Sequence, residues 1–188
     1  PIEPLVNSLR HPLLLGKGGN DTRKRMMDKT HIRLPPADIL QRHRAAGGKV
    51  FFLDMGAGRW GDGCNGRGNH CTAGGQFGGS LQWMTHRFAQ RGIHFDRIIA
   101  WEAQRYPKIK LSDDRSEMPT HVSRVLTYNN VPVEAEPLAK HNPWRTLAEF
   151  ATKLDYVVVK LDIDDLSIER QLVEQLLGGN SPASGLVD

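Results

Sequence analysis

The hydrophobic positions of this chain change their spacing several times, and each change marks an element. Val50-Phe51-Phe52-Leu53 is an unbroken apolar run closed by Asp54 and followed by glycines. A short run without alternation is what a strand buried on both faces of a parallel sheet requires. Phe95 to Glu102 repeats the arrangement, with Ile98, Ile99 and Ala100 at its centre and a carboxylate at its end. Tyr156 to Asp164 is the clearest run, rich in β-branched residues and ending in Asp162 and Asp164. Between the last two runs, Val131-Pro132-Val133 reads as strand three, which its proline confines to a sheet edge or a strand start.

Elsewhere the spacing is helical. Pro35-Pro36-Ala37 begins a helix through Ala46 that Gly47-Gly48 stops. Ser80 can cap a second helix, in which Leu81, Met84 and Phe88 share a face and Gly92 supplies the stop. Residues 103–128 are poorly patterned, with a short helix after Pro119. Asn142-Pro143 opens another helix carrying Leu147, Phe150, Ala151 and Leu154, and a last one runs from Ser167 to Leu177 before Gly178-Gly179. Leu186-Val187-Asp188 resembles the opening of a fifth strand.

This alternation predicts an α/β fold, a doubly wound Rossmann-like parallel sheet of order 3-2-1-4-5 that is truncated near strand five. Residues 1–34, which mix proline, glycine and charge without a sustained period, are expected to be an extension or linker. Residues 35–188 then form one domain, incomplete at its C-terminus.

Composition narrows the picture in three ways. The longest apolar stretches are too short for a membrane span. Pro1-Ile2-Glu3 shows neither an initiator Met nor a signal peptide's order, so the natural start is expected upstream and the compartment is not legible. Cys64 and Cys71 are the only cysteines. They can pair with each other, and His70 stands beside them, but a tetrahedral zinc site wants a fourth ligand. The stretch from Arg59 to Gly79 therefore reads as a long Gly-rich loop with no metal site. The net charge of +4 is concentrated early, at Lys17, Arg23, Lys24, Arg25, Lys29, Arg33, Arg42 and Arg44. No aromatics are interleaved there for base stacking, so a solvated basic face is expected rather than a nucleic-acid site.

The chemistry is expected where strands one and four lie side by side and their connections diverge, opening a crevice at the C-terminal ends. Asp54, the turn Gly56-Ala57-Gly58, Asp162 and Asp164 would face it. The glycines let backbone approach a nucleotide without an intervening Cβ. A pyrophosphate cradle wants a helix N-terminus immediately behind the glycines, whereas this chain interposes the long loop. A carboxylate at Asp54 also suits a cationic sulfonium and amino group better than a pyrophosphate. Glu102 can accept both ribose hydroxyls of a nucleotide, a role common to NAD and S-adenosylmethionine sites. It stands 44 positions beyond Gly58, a separation that the loop insertion explains.

Together these residues resemble the class I S-adenosylmethionine-dependent methyltransferases. Phe51-Phe52-Leu53-Asp54-Met55-Gly56-Ala57-Gly58 stands in the place of their first motif and Ile99-Ala100-Trp101-Glu102 in that of their second. Val159-Lys160-Leu161-Asp162-Ile163-Asp164 is similar to the fourth strand of the FkbM-type branch, with its Val-Lys-Ile-Asp-x-Glu-Gly flavour. The resemblance spans about Lys49 to Leu177. It implies methyl transfer, often to a hydroxyl oxygen, with Asp54, Gly56, Ala57, Gly58 and Glu102 lining the cofactor. Asp165-Leu166 and the long loop depart from the family pattern, so the acceptor, a small molecule or a glycan, does not carry over.

Asp162 and Asp164 share a face if strand four continues extended, and they are the candidate base or orienting groups. Two such carboxylates can also hold Mg²⁺, although nothing else in the sequence supports a metal. Plainer roles compete at each position. Strand-terminal carboxylates are often turn formers or caps, and Gly56 and Gly58 can simply make a tight turn. His70, His121 and His141 show no clear partners, and Trp60, Trp83, Trp101 and Trp144 read as packing residues. An NAD(P)-dependent oxidoreductase using the same turn, or a non-catalytic module that keeps the methyltransferase-like fold, remains open.

Overall fold

The computed structural model describes residues 34–60, 80–105, 118–179 and 181–187. The segment with Cys64, His70 and Cys71 lies outside them, as does nearly all of the expected N-terminal extension. In chain order the described elements are α1 (Ala37–Ala45), β1 (Val50–Met55), α2 (Ser80–Ala89), β2 (Arg97–Trp101), α3 (Thr120–Val125), β3 (Leu126–Asn129), α4 (Pro143–Ala148), β4 (Tyr156–Leu161) and α5 (Leu166–Leu177). The four strands form one sheet of order β3-β2-β1-β4, and every pairing in it is parallel. That arrangement is compatible with a Rossmann-like fold.

The unbroken apolar run of β1 has the burial it calls for, with all six of its residues buried. Side chains alternate between two faces. Val50 and Phe52 join Ile98, Ala100 and Val158 in a core beneath α1 and α2, where Leu40, Leu81 and Phe88 are buried. Phe51, Leu53 and Met55 join Ile99, Trp101 and Val157 in a second core with Trp144, Leu147 and Leu172 of α4 and α5. Each core packs aromatic rings, Phe52 against Phe95 in one and Phe51 against Phe150 in the other.

Two expectations are corrected, and the five-strand order is not confirmed. Strand three is Leu126–Asn129, which pairs with β2 from Ile98↔Leu126 to Trp101↔Asn129, and not Val131–Val133. Pro132 has no N–H to give a ladder, while Leu-Thr-Tyr-Asn, half polar and only partly buried, suits an edge with one neighbour. Helix α4 stops at Ala148, so Phe150 and Ala151 pack from the segment behind it and Leu154 is 56% exposed. No fifth strand appears among the described residues. Leu186 lies in a turn, it and Val187 pack against the second core, and Asp188 is not described.

The helix starts show their causes. The Asn142 side chain accepts from the N–H groups of Trp144 and Arg145, with Pro143 at the first helical position. Asp165 accepts from Ser167 and Ile168 N–H and so caps α5. Trp144 Nε1 donates to Leu172 O at 2.9 Å, which ties α4 to α5 inside the second core.

Two carboxylates fasten the entry of β1. Asp96 Oδ2 accepts from Val50 N at 2.8 Å, and Asp155 Oδ1 accepts from Lys49 N at 2.7 Å. Asp155 Oδ2 also accepts from Thr152 N and Thr152 Oγ1. Burial would raise the Asp155 pKa, but the Lys49 and Thr152 N–H groups, the Thr152 hydroxyl and the Lys49 charge together outweigh it and hold the carboxyl below its usual 3.8. A carboxylate with a depressed folded-state pKa contributes stability that is complete above its unfolded pKa and fades as pH falls through the folded value. Asp155→Asn is therefore expected to lose about 2 kcal/mol near neutral pH, the worth of hydrogen bonds to a charged group. In urea unfolding, the gap between variant and parent should narrow as pH falls from about 6 to about 3. A gap independent of pH would show that the carboxylate's charge is not involved.

Candidate functional site

The C-terminal ends of β1, β2 and β4 meet at the turn Gly56-Ala57-Gly58. Gly56 leaves β1 at φ +82°, and a Cβ on it would lie 1.8 Å from Asp162 O, so the backbone at the end of β4 occupies the place a side chain would need. Gly58 is also in the left-handed region, at φ +62°. The turn's amides are committed within the protein. Gly56 N and Ala57 N both donate to Trp101 O at 3.0 Å, and Gly58 N donates to Glu102 Oε2 at 2.8 Å. Gly58 O accepts from the Tyr128 hydroxyl at 2.6 Å.

Asp54 points into the first core's face of the sheet and is completely buried. Its Oδ2 accepts from the Ser80 hydroxyl, which also donates to Ala57 O at 3.3 Å. Its Oδ1 lies 3.3 Å from Lys160 Nζ. That contact follows from register, because Asp54 and Lys160 are direct partners across β1 and β4 and partners on parallel strands project to the same face. Lys160 Nζ also donates to Gly56 O at 2.7 Å and lies 3.5 Å from Asp162 Oδ2. Ser80, expected as a helix cap, instead spends its hydroxyl on Asp54 and the turn.

Glu102 closes β2 half-buried. Its Oε2 holds Gly58 N–H, and its Oε1 accepts from Gln104 N at 2.6 Å. A carboxylate has about four lone-pair sites, so acceptor capacity remains beside the turn. Asn130 secures the segment by donating to Glu102 O and Gln104 O.

The sequence-selected residues therefore separate into two groups. Asp54, Gly56, Ala57, Gly58 and Glu102 converge on one turn. Asp162 reaches it through Lys160, and its side chain is 69% exposed. Asp164 is exposed with φ +57°. Since β4 ends at Leu161, the extended continuation that would put the two carboxylates on one face is absent, and the backbone turns at Asp164 to present Asp165 as the α5 cap. Aspartate tolerates the left-handed region better than most residues do.

Among the described residues no group of three or more His, Cys, Asp or Glu side chains could hold a metal ion, and no helix is long and apolar enough to cross a membrane. His121 does have a neighbour, the His94 ring at 5.0 Å, far from the turn at the opposite end of β2. All four tryptophans are buried.

The sequence does not single out Lys160, Tyr128 or Ser80 as site residues. Lys160 left a visible signal as the lone charge within the run Tyr156 to Leu161, two positions before the first of the closing acids. Tyr128 left none, since its strand was placed elsewhere.

Glycine at position 56 answers both to its φ and to the β4 backbone, whereas Gly47, at φ +84°, has nothing within 4 Å of an added Cβ. Gly47→Ala should cost only the left-handed penalty of about 1–2 kcal/mol. Gly56→Ala should cost more than about 3 kcal/mol, because backbone must shift as well. Urea unfolding of the two variants measures the difference, and equal losses would show that the turn can move away from β4.

No protein-family model, no curated protein and no solved structure matches this chain.

Proposed function

We propose that the turn and its surrounding carboxylates bind the nucleoside and cationic parts of S-adenosylmethionine, and that the chain is an S-adenosylmethionine-dependent methyltransferase acting on a hydroxyl oxygen. The observation that carries this reading is where the turn's N–H groups go. A pyrophosphate is held by free backbone N–H groups at a glycine turn, but the amides of Gly56, Ala57 and Gly58 already donate to Trp101 O and Glu102. The turn therefore has little to offer a dianion, which disfavours the NAD(P) alternative.

Charge supports the same choice. Lys160 is paired with the buried Asp54, and Glu102 and Asp162 bring two further carboxylates to the turn. An anionic rim favours a sulfonium and an ammonium. The spare lone pairs of Glu102 suit ribose hydroxyls. The Rossmann-like order 3-2-1-4-5 belongs to this reading, with the fifth strand as its unobserved part.

The cofactor supplies an already activated methyl group, and the protein's part is alignment and exclusion of water. Asp162, exposed at the rim and tethered by Lys160, is the group placed to take a proton from a hydroxyl acceptor, either a small molecule or a glycan. Asp164 lies two residues further along the same exposed bend and orients the acceptor.

Isothermal titration distinguishes the two cofactor readings. S-adenosylhomocysteine should give a binding isotherm and NADH none. Glu102→Ala should weaken S-adenosylhomocysteine about tenfold or more, the worth of a hydrogen bond to a charged group. Heat from NADH alone would end the methyltransferase reading.

A further inference from the structure

Lys160 lies in the middle of the site, yet nothing in the donor-binding scheme above requires it to touch a ligand. Four oxygens surround its ammonium. Gly56 O is nearest at 2.7 Å, followed by Asp54 Oδ1 at 3.3 Å, with Met55 O and Asp162 Oδ2 each at 3.5 Å. Two are main-chain carbonyls at the exit of β1, one is a fully buried carboxylate, and one is a carboxylate at the rim. The ammonium has three protons for them, the shortest contact is to the turn, and the side chain is only 23% exposed.

One reading is that Lys160 merely neutralises Asp54, since a buried carboxylate without a cation is costly. The geometry points further. Gly56 takes φ +82° so that β1 can pass the backbone of β4. The orientation of the Gly56 carbonyl is set by that bend, and it receives the Lys160 proton. The next two amides of the turn then reach Trp101 O and Glu102 Oε2. A shift of the Gly56 carbonyl would carry Ala57 and Gly58 with it, along with the Glu102 carboxylate hydrogen-bonded to Gly58.

We infer that Lys160 is a positioning residue for the donor site, its ammonium clamping the Gly56 carbonyl so that the Gly56–Gly58 turn and Glu102 are set for the nucleoside. This rests on the proposed donor-binding reading. Its contribution to the site is separable from its pairing with Asp54, because the two use different oxygens.

The test removes the pairing without leaving a buried charge. Lys160→Met alone strips Asp54 of its ammonium and is expected to unfold more readily. The double variant Lys160→Met/Asp54→Asn is neutral at both positions and is expected to recover most of the lost thermal stability. Two readouts are then taken on the full chain. Amide hydrogen exchange, followed without ligand, should be about tenfold or more faster at Ala57 and Gly58 in the double variant than in the parent, with the interior of β1 unchanged, as expected for losing one hydrogen bond to a charged donor. Titration with S-adenosylhomocysteine should show affinity about tenfold or more below that of Asp54→Asn alone, which keeps Lys160, by the same loss.

Recovery of stability in the double variant together with an affinity equal to that of Asp54→Asn alone would overturn the inference and leave Lys160 as a charge partner only. Unchanged exchange at Ala57 and Gly58 would overturn it equally. If the parent binds no S-adenosylhomocysteine, the donor reading fails and the role assigned to Lys160 fails with it, whereas a parent that binds while the double variant binds as tightly as Asp54→Asn alone sinks the Lys160 inference alone.

Discussion

A fully buried carboxylate at the end of the central strand is the constraint around which this structure is arranged. Asp54 has no exposure to water, and a charge in that position persists only with an opposite charge and hydrogen bonds close by. The register of β1 against β4 supplies the ammonium of Lys160, and the start of α2 supplies the Ser80 hydroxyl. Meeting these demands brings three elements to one point, at the sheet end where the glycine turn leaves β1. The chemistry proposed for the chain is located by the same requirement that stabilises Asp54.

The turn shows how the need to satisfy backbone groups can select a ligand. Buried amides seek acceptors, and those of Gly56, Ala57 and Gly58 find them in Trp101 O and Glu102. What remains at the turn is the unused acceptor capacity of Glu102 and the exposed carboxylate of Asp162. Those properties suit hydroxyls and cationic groups. At the far end of the sheet, Asp96 and Asp155 do different work with the same side chain type, receiving the N–H groups of Val50 and Lys49 to fix where β1 begins.

Much of this was legible in the order of residues, for identifiable reasons. Val50 to Leu53 and Ile98 to Ala100 are buried from both sides, and continuous apolar runs report that condition directly. Asp54, Gly56, Gly58 and Glu102 could be grouped because each closes a strand or follows one, and parallel strands deliver their C-terminal ends to one edge. Strand three was not legible, because an edge strand with Thr127, Tyr128 and Asn129 needs little hydrophobicity and Val131-Pro132-Val133 imitates a strand better. Its misplacement hid Tyr128. The bend after Leu161 was hidden as well, since a left-handed Asp164 and a capping Asp165 look in sequence like a strand continuing into more carboxylates. Lys160 was visible but uninterpreted, because its meaning depends on a pairing register that composition does not give.

The most direct measurement is a map of backbone amide resonances as S-adenosylhomocysteine is added to the ¹⁵N-labelled chain. The account predicts that the largest shifts fall on Gly56, Ala57, Gly58 and Glu102 at one end of the sheet, with Val50, Asp96 and Asp155 at the other end undisturbed. Shifts centred away from the turn, or none at saturating ligand, would contradict it.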